Sequence, residues 1–465
     1  MAAKDAEETL DDGELEFEDD AEENTFQDPE PPCQNSLNPA ASFASLSRKD
    51  KKYKSLSRRF RAKRAAQAVE RTKSNGLKPF VVALAKGAAP LRLKDFNAAD
   101  LPVSSSGWNA NPQKKLSPGL LKVWKNLEAL SSISGLKLLE WDGTTCITLV
   151  DVQDRVVAVL GGVPHGSAGE EWKAVESNAA GAMKQCFEAS TFTQAQKHGR
   201  RGDFASRTVG YGYGNGRLKP QNYRVSGKAN QKAVNELLQN KSIRRISGFT
   251  NVLFNAFCHK NYVEYNDAHN ELRRKQPELQ STFPKTSFAA VTFNLGPQSY
   301  SPPHMDPDNR ASGWCIDTAM GPFDPDKGGH LVLWDLGLVI RFPPGSSILF
   351  PSALITHSTI PIQPQETRYA MIQYSSGGIF RWRDNGFQSD KSFLATANAE
   401  AQTEWETACL SRWKLSLQKF TCWSDICRGD WKGLIRTGAG LDELSNLSDL
   451  EEYSTTLPSS KRVCR

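Results

Sequence analysis

Residues 285–383 restrict the fold more than any other part of the chain, because short β-forming segments follow one another there. The segments SFAAVTFNL (287–295), GHLVLWDLGLVIRF (329–342), SSILFPSALITHSTI (346–360) and RYAMIQYSS (368–376) are rich in β-branched and aromatic residues, and Pro and Gly turns separate them. The pattern predicts an all-β unit of about eight strands, closed as a barrel or jelly roll.

Helical patterns on both sides of this unit predict an α+β chain with flanking helices. Residues 169–190 and 230–273 have the spacing of amphipathic helices, and 147–162 is typical of a β-hairpin. Residues 200–223 are rich in Gly, Arg and Tyr, which indicates an irregular functional loop. We expect a mixed helical and loop part at 76–285, a β-core at 286–385, and a C-terminal helical segment with a frayed tail at 386–465.

The N-terminal residues are strongly polarised in charge, although the net charge of the chain is only +6. Residues 1–30 carry fourteen acidic side chains and one Lys, and residues 48–73 carry twelve Lys or Arg and two acids. Blocks of like charge resist compaction, so 1–47 is predicted to be a disordered acidic tail. The basic segment 48–75 predicts nuclear import or contact with nucleic-acid phosphates, and a solvated helix face is the alternative.

Composition excludes several classes of protein. No apolar run of about 18 residues exists, which argues against a membrane span, and the acidic N-terminus has no apolar secretory signal. Nine cysteines in a chain of 465 residues predict a reducing compartment rather than a disulfide scaffold. No CxxC pair exists, so structural zinc is the weaker interpretation of the cysteines.

Two of the seven histidines stand in a pattern that suits a metal site. His304 and Asp306 are two residues apart, so in an extended segment their side chains project to the same side. His357 follows in a strand, and Arg368 opens the next apolar strand eleven residues later. Two His and one carboxylate bind iron in non-haem oxygenases, and a fixed Arg can pair with a carboxylate. A lone His-x-Asp is usually a pair of polar residues on the protein surface, but His357 and Arg368 favour a metal site.

His330 lacks a following Arg and is interpreted as a packed histidine.

This arrangement resembles a known family. HMD (304–306), FPPGSSILFPSALITH (342–357) and RYAMIQY (368–374) look like a 2-oxoglutarate- and Fe(II)-dependent oxygenase of the double-stranded β-helix (jelly-roll) fold. The flanks TFNLGPQSYSPPHMDPDN and GGIFRW resemble the TET/JBP family of DNA base dioxygenases, in particular its fungal members. The resemblance covers residues 200–385 and implies Fe(II), 2-oxoglutarate and O2 as cofactors of a catalytic core at 286–385.

The resemblance implies roles for residues that bind iron and co-substrate. His304, Asp306 and His357 match the iron ligands of the family. Arg368 matches the residue that holds the distal carboxylate of 2-oxoglutarate. Asn294, in the strand before His304, is a further candidate for contact with the co-substrate.

A second set of residues is predicted to contact the substrate base. Tyr374 matches an aromatic residue that stacks on a flipped base, and Asn309 matches a polar residue that hydrogen-bonds it. Ser376 stands where family members that act on 5-methylcytosine often have His, and the shorter side chain keeps N6-methyladenine open as a substrate. Asp335 interrupts an apolar strand and is a candidate base reader, with a turn residue before Gly337 as the alternative.

Four basic residues flank the Gly-rich segments and are predicted to meet the DNA backbone: Arg200, Arg201, Arg217 and Lys219. A solvated loop is the alternative for each of them. The segment YGYGNG (211–216) lacks the GK[ST] of a P-loop, which argues against binding of a nucleotide triphosphate.

Together these features predict a monomeric nuclear dioxygenase that oxidises methyl groups on bases of double-stranded methylated DNA. A base must leave the duplex before its methyl group can reach a buried iron. The alternatives are an oxygenase acting on RNA bases or protein side chains, and a non-catalytic DNA-binding adaptor.

Overall fold

A computed structural model describes residues 84–111, 117–164, 171–199, 202–214 and 216–428. The predicted acidic tail at 1–47, the basic segment at 48–75, Arg200, Arg201 and the C-terminal tail from 429 onward lie outside the described residues.

The described residues contain thirteen β-strands. Their bounds are β1 Ala89–Arg92, β2 Lys137–Leu139, β3 Ile147–Val150, β4 Val156–Leu160, β5 Ser206–Gly212, β6 Gln221–Asn222, β7 Ala290–Asn294, β8 Cys315–Met320, β9 Leu331–Leu333, β10 Leu338–Ile340, β11 Ser347–Phe350, β12 His357–Thr359 and β13 Tyr369–Tyr374.

Helices precede, interrupt and follow the strands. Their bounds are α1 Pro118–Val123, α2 Leu127–Ser131, α3 Trp172–Glu188, α4 Gln194–Lys197, α5 Lys228–Gln239, α6 Lys241–Phe257, α7 His259–Lys275, α8 Gly377–Asp384, α9 Asp390–Thr396, α10 Ala399–Leu417 and α11 Trp423–Arg428, with short 3-10 turns at Ala98–Asp100 and Trp334–Leu336.

Two β-sheets form the centre of the fold. The larger sheet has nine strands in the order β1-β3-β4-β11-β8-β13-β7-β5-β6, and the smaller has four in the order β12-β9-β10-β2. Neighbours are antiparallel except at β1–β3 and β10–β2, where the strands run parallel. Because alternate side chains of a strand point to opposite faces, one face of the larger sheet can pack on helices while the other lines a cavity.

The helices α3, α5, α6 and α7 pack against one another, and α3 also contacts β8 of the larger sheet. Helix α6 shows why: Ile243, Ile246 and Leu253 recur on one face and are fully buried. Its start is set by Asn240, whose side-chain oxygen accepts hydrogen bonds from the backbone N–H groups of Ser242 and Ile243.

The mixture of helices and sheets agrees with the predicted α+β class. Residues 285–383, all of which are described, contain seven strands, and the segment from Gly377 to Asp384 is a helix rather than part of the β-unit. The larger sheet also crosses the predicted boundary at 285/286, because β5 pairs with β7 and β4 pairs with β11. Strand pairing between distant segments accounts for the second difference, and sequence periodicity does not report it. Within the described ranges, no helix is long and apolar enough to cross a membrane.

Candidate metal and co-substrate site

A cavity of about 390 Å³ is lined by residues of both sheets. On the larger sheet, strand register sets its floor: Thr208 of β5 lies opposite Thr292 of β7, Thr292 opposite Ile372 of β13, and Ile372 opposite Asp317 of β8. These four side chains therefore share one face and one row.

Nine of the predicted site residues line this cavity. They are His304, Asp306, His357, Arg368, Asn294, Asn309, Tyr374, Ser376 and Arg217.

His304, Asp306 and His357 lie together with possible ligand atoms all within 4.8 Å of one another. Nε2 of His304 is 3.9 Å from Oδ1 of Asp306, and Nε2 of His357 is 3.9 Å from Oδ2 of the same carboxylate. The two imidazole ring centroids are 4.2 Å apart. Within the described part of the chain, no other three His, Cys, Asp or Glu side chains are grouped in this way.

Backbone pairing holds the two histidines in register. The N–H of His304 donates to the carbonyl of His357 at 2.9 Å, and the reverse hydrogen bond measures 2.8 Å. Nδ1 of His304 contacts the Pro302 carbonyl at 2.7 Å, and Nδ1 of His357 contacts the Ile355 carbonyl at 2.9 Å. A carbonyl accepts only from a protonated Nδ1, so both rings direct the Nε2 lone pair toward Asp306. Two imidazole nitrogens and one carboxylate fit Fe(II).

Arg368 lines the same cavity with a guanidinium group whose hydrogen-bond donors are only partly used. It is 2% exposed, and its Nη1 donates to the Ser299 carbonyl at 3.0 Å. Nε and Nη2 are buried and have no hydrogen-bond partner in the part of the chain that is described. Two unpartnered donors of a buried guanidinium leave a large desolvation cost, which a bound carboxylate would remove. The residues present therefore fit a carboxylate co-substrate.

Asp317 is a cavity residue that the sequence reasoning missed. Its Oδ1 is buried without a hydrogen-bond partner among the described residues. Burial raises the pKa of Asp317, Arg368 opposes the shift and Asp306 adds to it. The available signal was an acid inside the strand CIDTAM, but only strand register shows that it faces Arg368 and not the helices.

The predicted base-contacting residues form the rest of the wall. Tyr374 accepts a hydrogen bond from the Thr292 hydroxyl at 3.3 Å, and burial raises its pKa. Asn309 and Ser376 form a backbone bridge, and the Asn309 amide donates to the Ser352 hydroxyl at 3.1 Å. The Ser376 hydroxyl accepts from the Tyr213 N–H at 3.2 Å. Asn309 and Ser376 are thus neighbours.

Arg217 lines the cavity, where its guanidinium lies 4.9 Å from the ring centroid of Tyr223. Gly212 makes room for that ring, because a Cβ at this position would lie 2.5 Å from the Tyr223 hydroxyl. Lys219 is different: it is outside the cavity lining, and its Nζ lies 3.5 Å from Glu278 in an exposed ion pair. Arg217 and Lys219 were both predicted to meet the DNA backbone, but Arg217 lines the cavity and Lys219 does not.

Two further residues singled out in the sequence, Asp335 and His330, lie outside the cavity lining. Asp335 is exposed and does not line the cavity; its carboxylate accepts from the Thr356 N–H at 2.6 Å. It therefore holds the segment that leads into His357, as a turn residue would, and its role as a base reader stays a prediction. His330 is 1% exposed and outside the cavity lining, and burial lowers its pKa to about 4, as expected for a packed histidine.

Comparisons with known proteins give structural likenesses only. No family model matches the chain, and no curated protein matches it. Among solved structures, NgTET1 in complex with 5mC DNA matches at 13% identity and a TM-score of 0.35, covering 57% of this chain and 92% of that chain. A 2OG-Fe(II) oxygenase family oxidoreductase from Burkholderia pseudomallei matches at 16% identity and a TM-score of 0.21, covering 37% and 67%.

The viral collagen prolyl hydroxylase vCPH from Paramecium Bursaria Chlorella virus-1, in its 2OG complex, also matches. Its identity is 16% and its TM-score 0.16, with 23% of this chain and 67% of that chain covered. With TM-scores this low, the chemistry of the site follows from its own atoms: two histidines, one carboxylate and an open buried guanidinium around one cavity.

Proposed function

We propose that this chain is an Fe(II)- and 2-oxoglutarate-dependent dioxygenase that oxidises methyl groups on DNA bases. One observation carries the first half of the proposal. The group of His304, Asp306 and His357 shares its cavity with Arg368, whose Nε and Nη2 have no partner among the described residues. A facial triad for iron and a bidentate carboxylate binder are the two protein parts that such an enzyme requires. The two sheets around the cavity suit a double-stranded β-helix.

Each protein group has a separate task. His304, His357 and Asp306 hold the metal, and the backbone pairing of the two histidines fixes their separation. Arg368 binds the distal carboxylate of 2-oxoglutarate, and Asn294 stands on the same wall. When bound, iron and 2-oxoglutarate would activate O2, the oxidant that converts a methyl group into a hydroxymethyl group while 2-oxoglutarate is oxidised to succinate and CO2. The protein binds, orients and excludes water.

The second half of the proposal concerns the substrate. A cavity of about 390 Å³ is of the size that takes a small molecule, so only a base extruded from the duplex could enter it. Tyr374, Asn309 and Ser376 line the cavity with an aromatic ring, an amide and a hydroxyl. With Ser at position 376, the proposed substrates are both 5-methylcytosine and N6-methyladenine in double-stranded DNA. We also propose that the enzyme is monomeric and nuclear.

The test is turnover with duplexes that contain a single 5-methylcytosine or a single N6-methyladenine. We expect succinate and an oxidised or demethylated nucleoside by mass spectrometry, dependent on Fe(II), 2-oxoglutarate and O2. His304→Ala should lose both turnover and bound iron, because the facial set then has two members. His198→Ala is the matched control, since His198 is exposed and outside the cavity lining.

Other results would redirect the proposal. Succinate formed only with RNA or with a peptide would keep the oxygenase and replace its substrate. Normal iron content in His304→Ala would remove this residue from the metal set. Duplex binding without any binding of 2-oxoglutarate would favour a non-catalytic adaptor.

A further inference from the structure

Asp317 occupies the cavity floor between two apolar neighbours. In β8 it lies opposite Ile372 of β13 on one side and Ile348 of β11 on the other. Neither neighbour can donate a hydrogen bond from its side chain, and Oδ1 of Asp317 has no partner in the described part of the chain. A buried carboxyl oxygen in this position is costly unless a ligand completes it.

Arg368, which lines the same cavity, also has buried polar atoms without a hydrogen-bond partner among the described residues. The guanidinium interacts electrostatically with Asp317, yet no ion pair within 4.0 Å joins the two among the described residues. Asp317 and Arg368 therefore each keep buried polar atoms without a partner, and the two side chains could pair with each other only by moving. A ligand carboxylate placed there can accept from Arg368 and also from a protonated Asp317.

The charge balance decides which form of Asp317 suits that ligand. The charges of iron and Arg368 are matched by those of Asp306 and of the two carboxylates of 2-oxoglutarate. An ionised Asp317 would add an uncompensated negative charge in a buried site, which is unfavourable. A neutral Asp317 adds a donor and no charge.

Burial acts in the same direction, because it raises the pKa of Asp317, whereas Arg368 lowers it. Strand β11 contributes no charged side chain, and helix α3 packs on the far face, where Glu176 accepts from the Gly321 N–H. Besides Arg368 and Asp317, the titratable groups that line the cavity are His304, Asp306, Asp308, Cys315, His357, Tyr213, Arg217, Tyr223 and Tyr374.

We propose that Asp317 is a specificity-determining residue for the co-substrate, which stays protonated and donates a hydrogen bond to a carboxylate of 2-oxoglutarate beside Arg368. The inference rests on the proposed function and deepens it, because it makes the site select for a dicarboxylate by a neutral donor as well as a cation. A hydrogen bond to a charged group strengthens binding by roughly tenfold or more.

The test measures binding of 2-oxoglutarate rather than turnover. Calorimetry without oxygen on the Fe(II)-loaded full chain compares wild type with Asp317→Asn, which keeps a donor, and Asp317→Leu, which has the same branched shape, is larger and has no donor. Thr318→Val is the matched control, since Thr318 is on the same strand and its hydroxyl contacts Ser347 instead of the cavity. Thermal unfolding of each variant checks that it is folded.

At low pH we expect wild type, Asp317→Asn and Thr318→Val to bind within about twofold of one another, and Asp317→Leu to bind about tenfold more weakly. As the pH rises through the pKa of Asp317, wild type should lose affinity and take up a proton on binding. Asp317→Asn should do neither, because the amide does not titrate. This pH comparison decides the question even if Asp317→Leu does not fold.

Two results would overturn the inference. Tighter binding by Asp317→Asn at every pH would show that Asp317 is ionised and repels the ligand, and unchanged binding by Asp317→Leu would show that it makes no contact. Absence of binding by wild type is a different failure, because it would remove the proposed function itself.

Discussion

Two polar regions of the molecule use the same residue types in opposite ways. At the cavity, Arg368 has no carboxylate within 4.0 Å among the described residues, and His304 and His357 turn Nε2 toward Asp306. Elsewhere, in what we term the closed network (Glu264, Arg310, Lys419, Tyr211, His269 and Ser375), the side chains contact one another in two sets. Arg310 is paired with a carboxylate, although its Nε and Nη1 have no hydrogen-bond partner among the described residues. Arg310 is 2.6 Å from Glu264, and Glu264 is 2.8 Å from Lys419.

The closed network contains a buried histidine, His269, whose two ring nitrogens both contact protein side chains. His269 contacts the Tyr211 hydroxyl at 2.8 Å with Nδ1 and the Ser375 hydroxyl at 3.1 Å with Nε2, so both ring nitrogens are occupied by protein. Arg310 directly follows Asn309, and Ser375 directly precedes Ser376. The closed network therefore adjoins the cavity wall along the chain, and its Arg310 is paired with a carboxylate, whereas Arg368 at the cavity has no paired carboxylate among the described residues.

The largest expected effect follows from breaking the ion pairs of the closed network. Burial alone would raise the pKa of Glu264, but Arg310 and Lys419 outweigh it and lower the pKa to about 2. Glu264→Ala would leave two cations without their carboxylate, and removal of one partner from a buried pair costs about 3–5 kcal/mol. Urea unfolding should show this loss in the free energy of unfolding.

The control for this prediction is Glu278→Ala, which removes an exposed acid that pairs with Lys219. It should leave the midpoint of unfolding nearly unchanged, because exposed ion pairs contribute little. An equal loss in both variants would mean that burial does not distinguish the two acids. Retained iron binding in a folded Glu264→Ala would support the separation of the closed network from the metal site.

The contrast also explains which parts the sequence could predict. His304 and Asp306 are two residues apart on one extended segment, His357 begins β12, and Arg368 directly precedes β13, so their order and spacing along the chain could be read from the sequence. Asp317 was missed because its role depends on which strands pair beside it. The helix at Gly377–Asp384 was missed because it begins with two glycines, which disfavour a helix. Packing requires glycine at the first of them, since a Cβ at Gly377 would lie 2.8 Å from the Trp108 carbonyl.

A smaller effect is expected from the pH dependence of stability. Burial, with the nearby Arg273, Arg383 and Arg310, lowers the pKa of His269 from 6.5 to about 3. Between these values the unfolded chain binds a proton that the folded chain does not, so stability falls as the pH falls from 6.5 toward 3. The contribution of His269 is about 1.4 kcal/mol per pH unit.

His269→Gln should remove that contribution, since glutamine does not titrate. The difference in slope between wild type and variant, measured by urea unfolding at several pH values, isolates the histidine from the carboxylates that titrate in the same range. His198→Gln, at an exposed histidine, should keep the wild-type slope. An unchanged slope in His269→Gln would mean that His269 is charged in the folded protein.

The smallest expected effect separates Arg217 from Lys219 and depends on the proposed function. Arg217 stacks over Tyr223 on the cavity wall, so it is placed to meet an extruded base, whereas Lys219 could meet only phosphate or solvent. For a duplex with a methylated base, Arg217→Ala should weaken binding about fivefold, as expected for a cation on an aromatic ring. The loss should disappear when the target base is replaced by an abasic site.

Lys219→Ala should weaken binding less than Arg217→Ala, and by the same factor on the methylated and the abasic duplex. A salt series distinguishes the remaining alternative, because loss of a phosphate contact reduces the slope of log K against log salt by about 1, and loss of a stacking contact does not. If Arg217→Ala reduces that slope and binds both duplexes equally poorly, Arg217 contacts the backbone. The cavity wall would then read the base through Tyr374 and Asn309 alone, and the position of Arg217 over Tyr223 would serve to place its charge at the entrance.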